Sequence, residues 1–259
     1  MRIKLIACEV FARELMAAAA ASPHVVDLKL MPFGLHDTPE ELRSALQDEI
    51  DSTVGAVSGS QDVANPENAE LRFDFIALGY GLCSRGTSGL RARSIPIVIP
   101  RAHDCITLLL GSRSRYSEEF SRHPGTYYYS PGWIERKAGD VKQGFVDDAY
   151  ARRNEERYRE YVEKYGEDNA RFLMEQESLW VANYTRAALI DTGLGDIDSY
   201  RRFTQNIATE HGWEYAEIRG DTSLLQRLAS AEWDPADFLI VSPGRTVAES
   251  FDETVLKEA

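Results

Sequence analysis

Short apolar segments alternate with helix-forming segments along most of the chain, and this alternation limits the fold more than any other feature. The apolar segments of the first part have the length and β-branched content of buried strands; they are Ile3–Cys8, Val25–Met31, Phe73–Leu82 and Ile95–Ile99. Helices are expected at Glu9–Ala21, from Thr38 onward, and from Cys105 through Phe120. Strands separated by helices are typical of a parallel α/β sheet.

The same alternation returns in the last third of the chain. Strands are predicted at Ala187–Asp191, Trp213–Ile218 and Phe238–Val241, with helices at Ile197–His211 and Leu224–Ser230. Residues 147–186 are rich in charge and carry spaced aromatic residues, which predicts helices interrupted near Gly166. We therefore predict an α/β fold of two Rossmann-like halves with mainly parallel sheets, residues 1–146 and 187–259, with 147–186 as a charged helical bridge. A cleft between two such halves is the expected ligand site.

Composition excludes several classes of function. The chain has 259 residues and a formal net charge of −13, so it is a poor candidate for binding nucleic acid. No apolar segment reaches the roughly 18–20 residues that span a bilayer, and Met1–Ala21 is too charged for a signal peptide. An odd number of cysteines without an export signal predicts a reducing, cytoplasmic location. The sequence does not predict the oligomeric state.

The three cysteines share one kind of position. Cys8, Cys83 and Cys105 each fall at, or just past, the carboxyl end of a predicted strand. In a parallel sheet these ends lie along one edge, so the three thiols are expected to converge there. Three thiolates can hold zinc and leave one position open, as in catalytic zinc sites, while an iron–sulfur cluster is the alternative. Because no C-x-x-C pair is present, ordinary buried thiols remain a competing explanation.

The turn after the fourth strand is rich in reactive side chains. His103 and Asp104 stand directly before Cys105, and we predict catalytic roles for both, together with Glu135. Water, a substrate thiol, His103 or Glu135 is expected as the fourth metal ligand. Arg101 is expected to hold an anionic group of a small-molecule substrate or to pair with Asp104. Further substrate contacts are predicted at Tyr80 and Trp133.

Several separated segments resemble a known family in the same order: LIACEV, GYGLC, PRAHDCITLLLGSR and PGTYYYSPGWIER. The family consists of bacterial and archaeal proteins catalogued only as a domain of unknown function, and the resemblance covers most of the first 180 residues. Its pattern includes Cys8, Cys83 and the turn His103-Asp104-Cys105. Members are often encoded near corrinoid proteins and their methyltransferases, which implies a role in one-carbon metabolism.

Two hypotheses of different class follow. In the first, thiolate-bound zinc keeps a substrate thiol ionised, so that the thiol exchanges a methyl group with a corrinoid or another donor. In the second, the protein is a non-catalytic accessory that binds a metal, an iron–sulfur cluster or a corrinoid protein. Metal content separates them only in part, whereas turnover with a methylated corrinoid separates them directly.

Overall fold

The computed structural model describes residues 1–58, 72–137, 155, 158–178 and 183–259. The strands are β1 (Arg2–Cys8), β2 (Val25–Met31), β3 (Phe75–Gly79), β4 (Ile97–Pro100), β5 (Thr126–Tyr129), β6 (Arg186–Asp191), β7 (Glu214–Arg219), β8 (Phe238–Val241), β9 (Val247–Glu249) and β10 (Leu256–Glu258). The helices are α1 (Ala12–Ala21), α2 (Pro39–Ser58), α3 (Cys105–Leu110), α4 (Arg113–Arg122), α5 (Pro131–Lys137), α6 (Glu167–Ser178), α7 (Ile197–His211) and α8 (Ser223–Ala229). Short 3-10 turns lie at Glu9–Phe11 and Leu35–Asp37.

The chain forms two compact units, one of Met1–Ser117 with Gly220–Ala259 and the other of Glu118–Arg219. The first unit contains a five-stranded sheet in the order β2-β1-β3-β4-β8. Strand β1 lies between β2 and β3 and is parallel to both, and β3 is parallel to β4. Ile3, Leu5 and Ile6 on β1 are fully buried, which agrees with the apolar character of a central parallel strand.

The second unit contains a three-stranded parallel sheet in the order β5-β6-β7. Tyr129, Leu189 and Phe203 belong to its buried core, which packs α7 against the sheet. Residues 158–165 are helical, and Gly166, with a φ of +81°, separates them from α6. The predicted interruption near Gly166 is therefore confirmed, while residues 147–154, 156–157 and 179–182 of the predicted bridge lie outside the described residues.

Mainly parallel pairing confirms the predicted α/β class, but the organisation along the chain differs from the predicted ranges 1–146, 147–186 and 187–259. Strand β8 was expected in a C-terminal half-sheet with β6 and β7. It pairs instead with β4 of the first unit, in the antiparallel direction. Strands β9 and β10 form an antiparallel pair that the sequence did not predict. The last forty residues therefore complete the first unit.

The helix predicted from Cys105 through Phe120 is divided in two. Gly111 ends α3 in the left-handed conformation, with a φ of +82°. A Cβ atom at this position would lie 2.6 Å from Cγ of Asp221, so the close approach of that side chain also requires glycine. Across the described part of the chain, no helix has the length and apolar character needed to cross a membrane.

Candidate functional site

The three cysteines occupy the carboxyl ends of three neighbouring strands. Cys8 is the last residue of β1, Cys83 follows the end of β3, and Cys105 begins the helix after β4. The sheet order places β1, β3 and β4 side by side. The prediction that these strands are adjacent and parallel is thus confirmed, and the loops that carry the thiols leave the sheet at one edge.

The loops after β3 and β4 remain hydrogen-bonded to each other beyond the sheet. The amide of Leu82 donates to the carbonyl of Ala102 at 2.8 Å, and the amide of Cys83 donates to the carbonyl of His103 at 2.9 Å. Gly81 makes this approach possible, because a Cβ atom there would lie 2.6 Å from the oxygen of Ala102. These bonds fix the backbone of Cys83 beside the turn that leads to Cys105.

Cys83 begins a run of three residues in the left-handed conformation. The φ angles of Cys83, Ser84 and Arg85 are +45°, +54° and +71°, although none of the three is glycine. Such residues cost about 1–3 kcal/mol each and are retained where the surrounding contacts enforce them. Here Arg43 donates to the carbonyl of Arg85 at 3.1 Å, and the Arg85 guanidinium lies 2.6 Å from a carboxylate oxygen of Glu249. The run is therefore anchored at its end.

The environment of the thiols favours their neutral form. Burial raises the pKa of Cys83 to about 12, and the charges of Asp104 and Cys8 act in the same direction. Burial likewise raises the pKa of Cys105 well above its usual value, with further contributions from Asp104, Cys83 and Cys8. The Cys105 thiol thus responds to the charges of Cys8 and Cys83, and the Cys83 thiol responds to the charge of Cys8. The three groups form one electrostatically coupled cluster, which we call the thiol cluster (Cys8, Cys83 and Cys105).

Tyr80 lies against the thiol cluster. Its residue is 3% exposed, and its hydroxyl is buried without a hydrogen-bond partner among the residues that the structure describes. Burial is the main reason why the pKa of Tyr80 lies above its usual range, and the charges of Cys8, Cys83 and Glu9 raise it further. Because Ala7 is paired with Gly79, the next residue on each strand places Cys8 beside Tyr80. Burying a hydroxyl without a hydrogen bond costs free energy, and a hydrogen bond to a bound partner would remove that cost.

The other residues of the predicted turn have separate positions. The Asp104 carboxylate caps α3 by accepting a hydrogen bond from the Thr107 amide at 3.1 Å, and His103 is exposed. The Arg101 guanidinium donates to the carbonyl of Pro235 at 2.9 Å and to those of Thr254 and Leu256. Arg101 therefore holds the C-terminal segment, which differs from its predicted role in binding a substrate anion or Asp104.

Glu135 and Trp133 belong to the second unit, whereas the thiol cluster belongs to the first. The Tyr200 hydroxyl donates to Oε1 of Glu135, and Arg136 lies 3.2 Å from its Oε2. The Trp133 ring contacts the rings of Tyr127 and Tyr129 at centroid distances of 5.9 and 4.9 Å. Within their unit, these two residues thus take part in a carboxylate network and in an aromatic core.

The thiol cluster could hold a metal ion only after its cysteine side chains had changed position. Within the described ranges, no three His, Cys, Asp or Glu side chains are arranged as a ready metal-binding group. Cys8 is buried, while Cys83 and Cys105 are half-buried. Thiolate, but not neutral thiol, is the form that binds metal, so uptake of an ion is expected to release protons.

Sequence reasoning missed two parts of this site. The left-handed run Cys83-Ser84-Arg85 gave no signal, because these residue types do not favour that conformation. The contribution of Glu9 was also missed; its carboxylate accepts from the Phe33 amide at 2.7 Å and its charge acts on Tyr80. The acid directly follows Cys8, and this position after a predicted strand was the available clue.

Together these features define a two-unit α/β protein whose first sheet carries a cluster of three thiols at its carboxyl edge. The chain belongs to the family described as "Protein of unknown function (DUF1638)", whose model matches residues 30–229. The match begins after β1 and Cys8 and extends beyond the range expected from the resemblance. No curated protein matches the chain significantly, and no solved structure does so either.

Proposed function

We propose that Cys8, Cys83 and Cys105 bind one metal ion, zinc in the first instance, and that the protein uses it in methyl transfer to or from a thiol or a corrinoid. The observation that supports the metal site best is the position of the three thiols at the ends of adjacent strands, where their charges act on one another. Three protein thiolates leave one coordination position for a substrate, which is the arrangement of a catalytic zinc site.

The charges around the thiol cluster favour a cation. Asp104 and the neighbouring cysteines all oppose ionisation of Cys83 and Cys105. A divalent ion would reverse this effect, because its charge stabilises thiolates that would otherwise stay protonated. Binding requires the side chains to turn toward a common point, and the partial exposure of Cys83 and Cys105 is compatible with such a rotation.

The methyl-transfer part of the proposal depends on the family context. Bound zinc would keep a substrate thiol ionised at neutral pH, after the thiol proton has passed to solvent. Transfer from a methylated corrinoid would form a sulfur–carbon bond and break the cobalt–carbon bond. The electron pair of the broken bond would remain on cobalt, which changes from Co(III) to Co(I). The protein's own part is to hold the thiol sulfur in place, enclosed by the loops after β1, β3 and β4.

Metal analysis of single cysteine variants tests the proposal. We expect protein purified without oxygen to contain about one zinc per chain, and Cys8→Ser, Cys83→Ser and Cys105→Ser each to lose at least about tenfold in zinc affinity, because a site of three ligands has none to spare. Ala102→Ser is the matched control. It introduces the same side chain at a buried position of the neighbouring loop and leaves the thiols intact.

Each outcome has a distinct meaning. Full zinc occupancy in the folded serine variants would refute a shared site, and Cys→Ala variants repeat the measurement if a serine variant does not fold. A brown protein with iron and sulfide would identify the cluster alternative. Metal retention without methyl exchange between methylcobalamin and small thiols would refute the methyltransferase part and favour the accessory role.

A further inference from the structure

We propose that strand β2 pairs in the antiparallel direction with β2 of a second copy of this chain, so that the two five-stranded sheets join into one. The inference is independent of the thiol cluster and of any metal ion. It assigns an interface to the outer edge of the sheet in the first unit, and it names an identical chain as the partner.

Strand β2 lies at the edge of its sheet and has backbone groups that β1 does not use. It is the first strand in the order β2-β1-β3-β4-β8 and pairs with β1 on its inner side. The amide of Val25 donates to the carbonyl of Met1 at 3.1 Å, so every second residue from Val25 onward turns its backbone groups toward β1. The amides and carbonyls of Val26, Leu28 and Leu30 therefore point away from the sheet. Such a row of outward groups is able to pair with another strand.

The apolar side chains of this edge strand are incompletely covered by the fold of the described residues. Val25 is 60% exposed, and Val26, Leu28 and Leu30 are half-buried. A second strand alongside β2 would remove apolar surface from water and would also supply partners for the outward backbone groups. Both effects favour pairing of this edge.

The charges on β2 select one register of the pair. Residues with outward backbone groups face each other in an antiparallel pair, so Leu28 opposite Leu28 of the second copy is one allowed register. In this register Asp27 lies opposite Lys29 of the second copy, and the twofold symmetry repeats the pair. These positions form non-hydrogen-bonded pairs, in which side chains approach most closely. A shift of the strands by two residues would instead place Asp27 opposite Asp27 or Lys29 opposite Lys29, and like charges in facing positions repel.

Both charged side chains are accessible to a second copy. The Asp27 side chain is 40% exposed and lies 3.0 Å from Nζ of Lys4, and the Lys29 side chain is 47% exposed with its Nζ 3.7 Å from Glu49. Charges on an edge strand can also prevent pairing, and this is the competing explanation for them. Here the two charges are opposite in sign and lie symmetrically about Leu28, so they attract each other across the twofold axis.

Sedimentation equilibrium of the full chain tests the pairing. We expect the wild type to be a dimer in the micromolar range. Leu28→Pro removes the donors of the two central hydrogen bonds, and proline is tolerated at an edge position whose amide points outward. Its dimer should be at least about 30-fold weaker, because two buried carbonyls lose their donors. Leu28→Ala is the matched control, since it shortens the same side chain but keeps the amide, and its dimer should weaken by at most about fivefold.

Two charge variants test the register. Asp27→Lys and Lys29→Glu should each be monomeric where the wild type is a dimer, because each variant places like charges opposite each other. An equimolar mixture of the two should form a heterodimer, because the cations of one variant then face the carboxylates of the other. Circular dichroism and thermal unfolding show which variants are folded.

The outcomes separate the inference from its alternatives. A monomeric wild type would overturn it, as would a dimer that folded Leu28→Pro leaves intact. Equal weakening by Leu28→Pro and Leu28→Ala would also overturn it, since side chains and not the backbone would then hold the copies together. If Leu28→Pro does not fold, the charge variants decide, and a mixture that forms no heterodimer refutes the pairing. None of these results depends on metal content, so the proposed function is tested separately.

Discussion

Gly81→Ala should displace the backbone that positions two of the three thiols. An added Cβ atom would lie 2.6 Å from the Ala102 oxygen and 3.0 Å from the Asp104 nitrogen. Both neighbours are backbone atoms, so no side-chain rotation relieves the contact. Since nonbonded atoms prefer roughly 3.5 Å, the two loops must separate by roughly 0.5–1 Å. The hydrogen bonds from Leu82 to Ala102 and from Cys83 to His103, now 2.8 and 2.9 Å long, would lengthen.

The expected loss of stability follows from this geometry. Overpacking of a close contact typically costs about 1–3 kcal/mol, and weakened backbone hydrogen bonds belong to the same effect. For a protein of this size, a loss of about 2 kcal/mol corresponds to a fall in Tm of roughly 4–8 °C. Because the loop of Cys83 opens at the same time, the burial that raises its pKa should decrease and its thiol should react faster with iodoacetamide.

Thermal unfolding and peptide-resolved alkylation measure the two effects on metal-free protein. Gly212→Ala serves as the control, because its Cβ would meet nothing within 4 Å and only its φ of +67° is unfavourable. This control should lose about 1 kcal/mol through backbone strain without changing the reactivity of Cys83. If Gly81→Ala melts like wild type and Cys83 is alkylated at the wild-type rate, the loops tolerate the added atom and our account of the turn is wrong.

Two further predictions concern ionisation. In metal-free wild type, the Cys83 pKa is raised from 9.0 to about 12, so alkylation of this thiol at pH 8 should be about 1,000-fold slower than in unfolded protein. The alkylation rate should also keep rising with pH beyond 9. A plateau near pH 9, measured by peptide mapping, would contradict this prediction. The pKa of Glu217 is lowered mainly by a hydrogen bond from Arg201, so its contribution to stability is present above its unfolded value and is lost as pH falls through the folded one. Denaturation series should therefore show a smaller acid-dependent loss of stability in Glu217→Gln than in wild type; equal pH slopes would refute the assignment.

Local patterns in the sequence predicted the strands and the edge at which the thiols lie. Val25–Met31, Ile197–His211 and Phe238–Val241 have the bounds that periodicity predicted, because their apolar faces are continuous and their ends carry clear stop signals. Local rules also predict that β1, β3 and β4 run parallel, although the pairing of β1 with β3 does not follow from them, because β2 lies between these two strands in the chain. Cys8, Cys83 and Cys105 could be assigned to one edge on this basis.

Local sequence patterns could not predict contacts between segments that are distant in the chain. The direction of β8 depends on its pairing with β4, and the sequence of Phe238–Val241 suits a parallel or an antiparallel neighbour equally well. The side chain of Arg101 turns to carbonyls more than a hundred residues away, so its proximity to Asp104 in sequence was misleading. The helix predicted from Cys105 through Phe120 includes Gly111, because the contact of Gly111 with Asp221 is not visible in the local sequence.

These distant contacts show why residues 30–229, the range that matches the family, are not sufficient to build the site. Strand β1, which lies between β2 and β3 and carries Cys8, precedes that range. Strand β8, which covers the edge of β4, follows it, as do the carbonyls that Arg101 binds. A chain limited to the matched range would expose the edge of β3 that pairs with β1 and the edge of β4 that pairs with β8. It would also lose the contacts that hold the turn before Cys105. The thiol cluster therefore requires segments on both sides of the matched range, because these segments supply β1 and β8 of the sheet in the first unit.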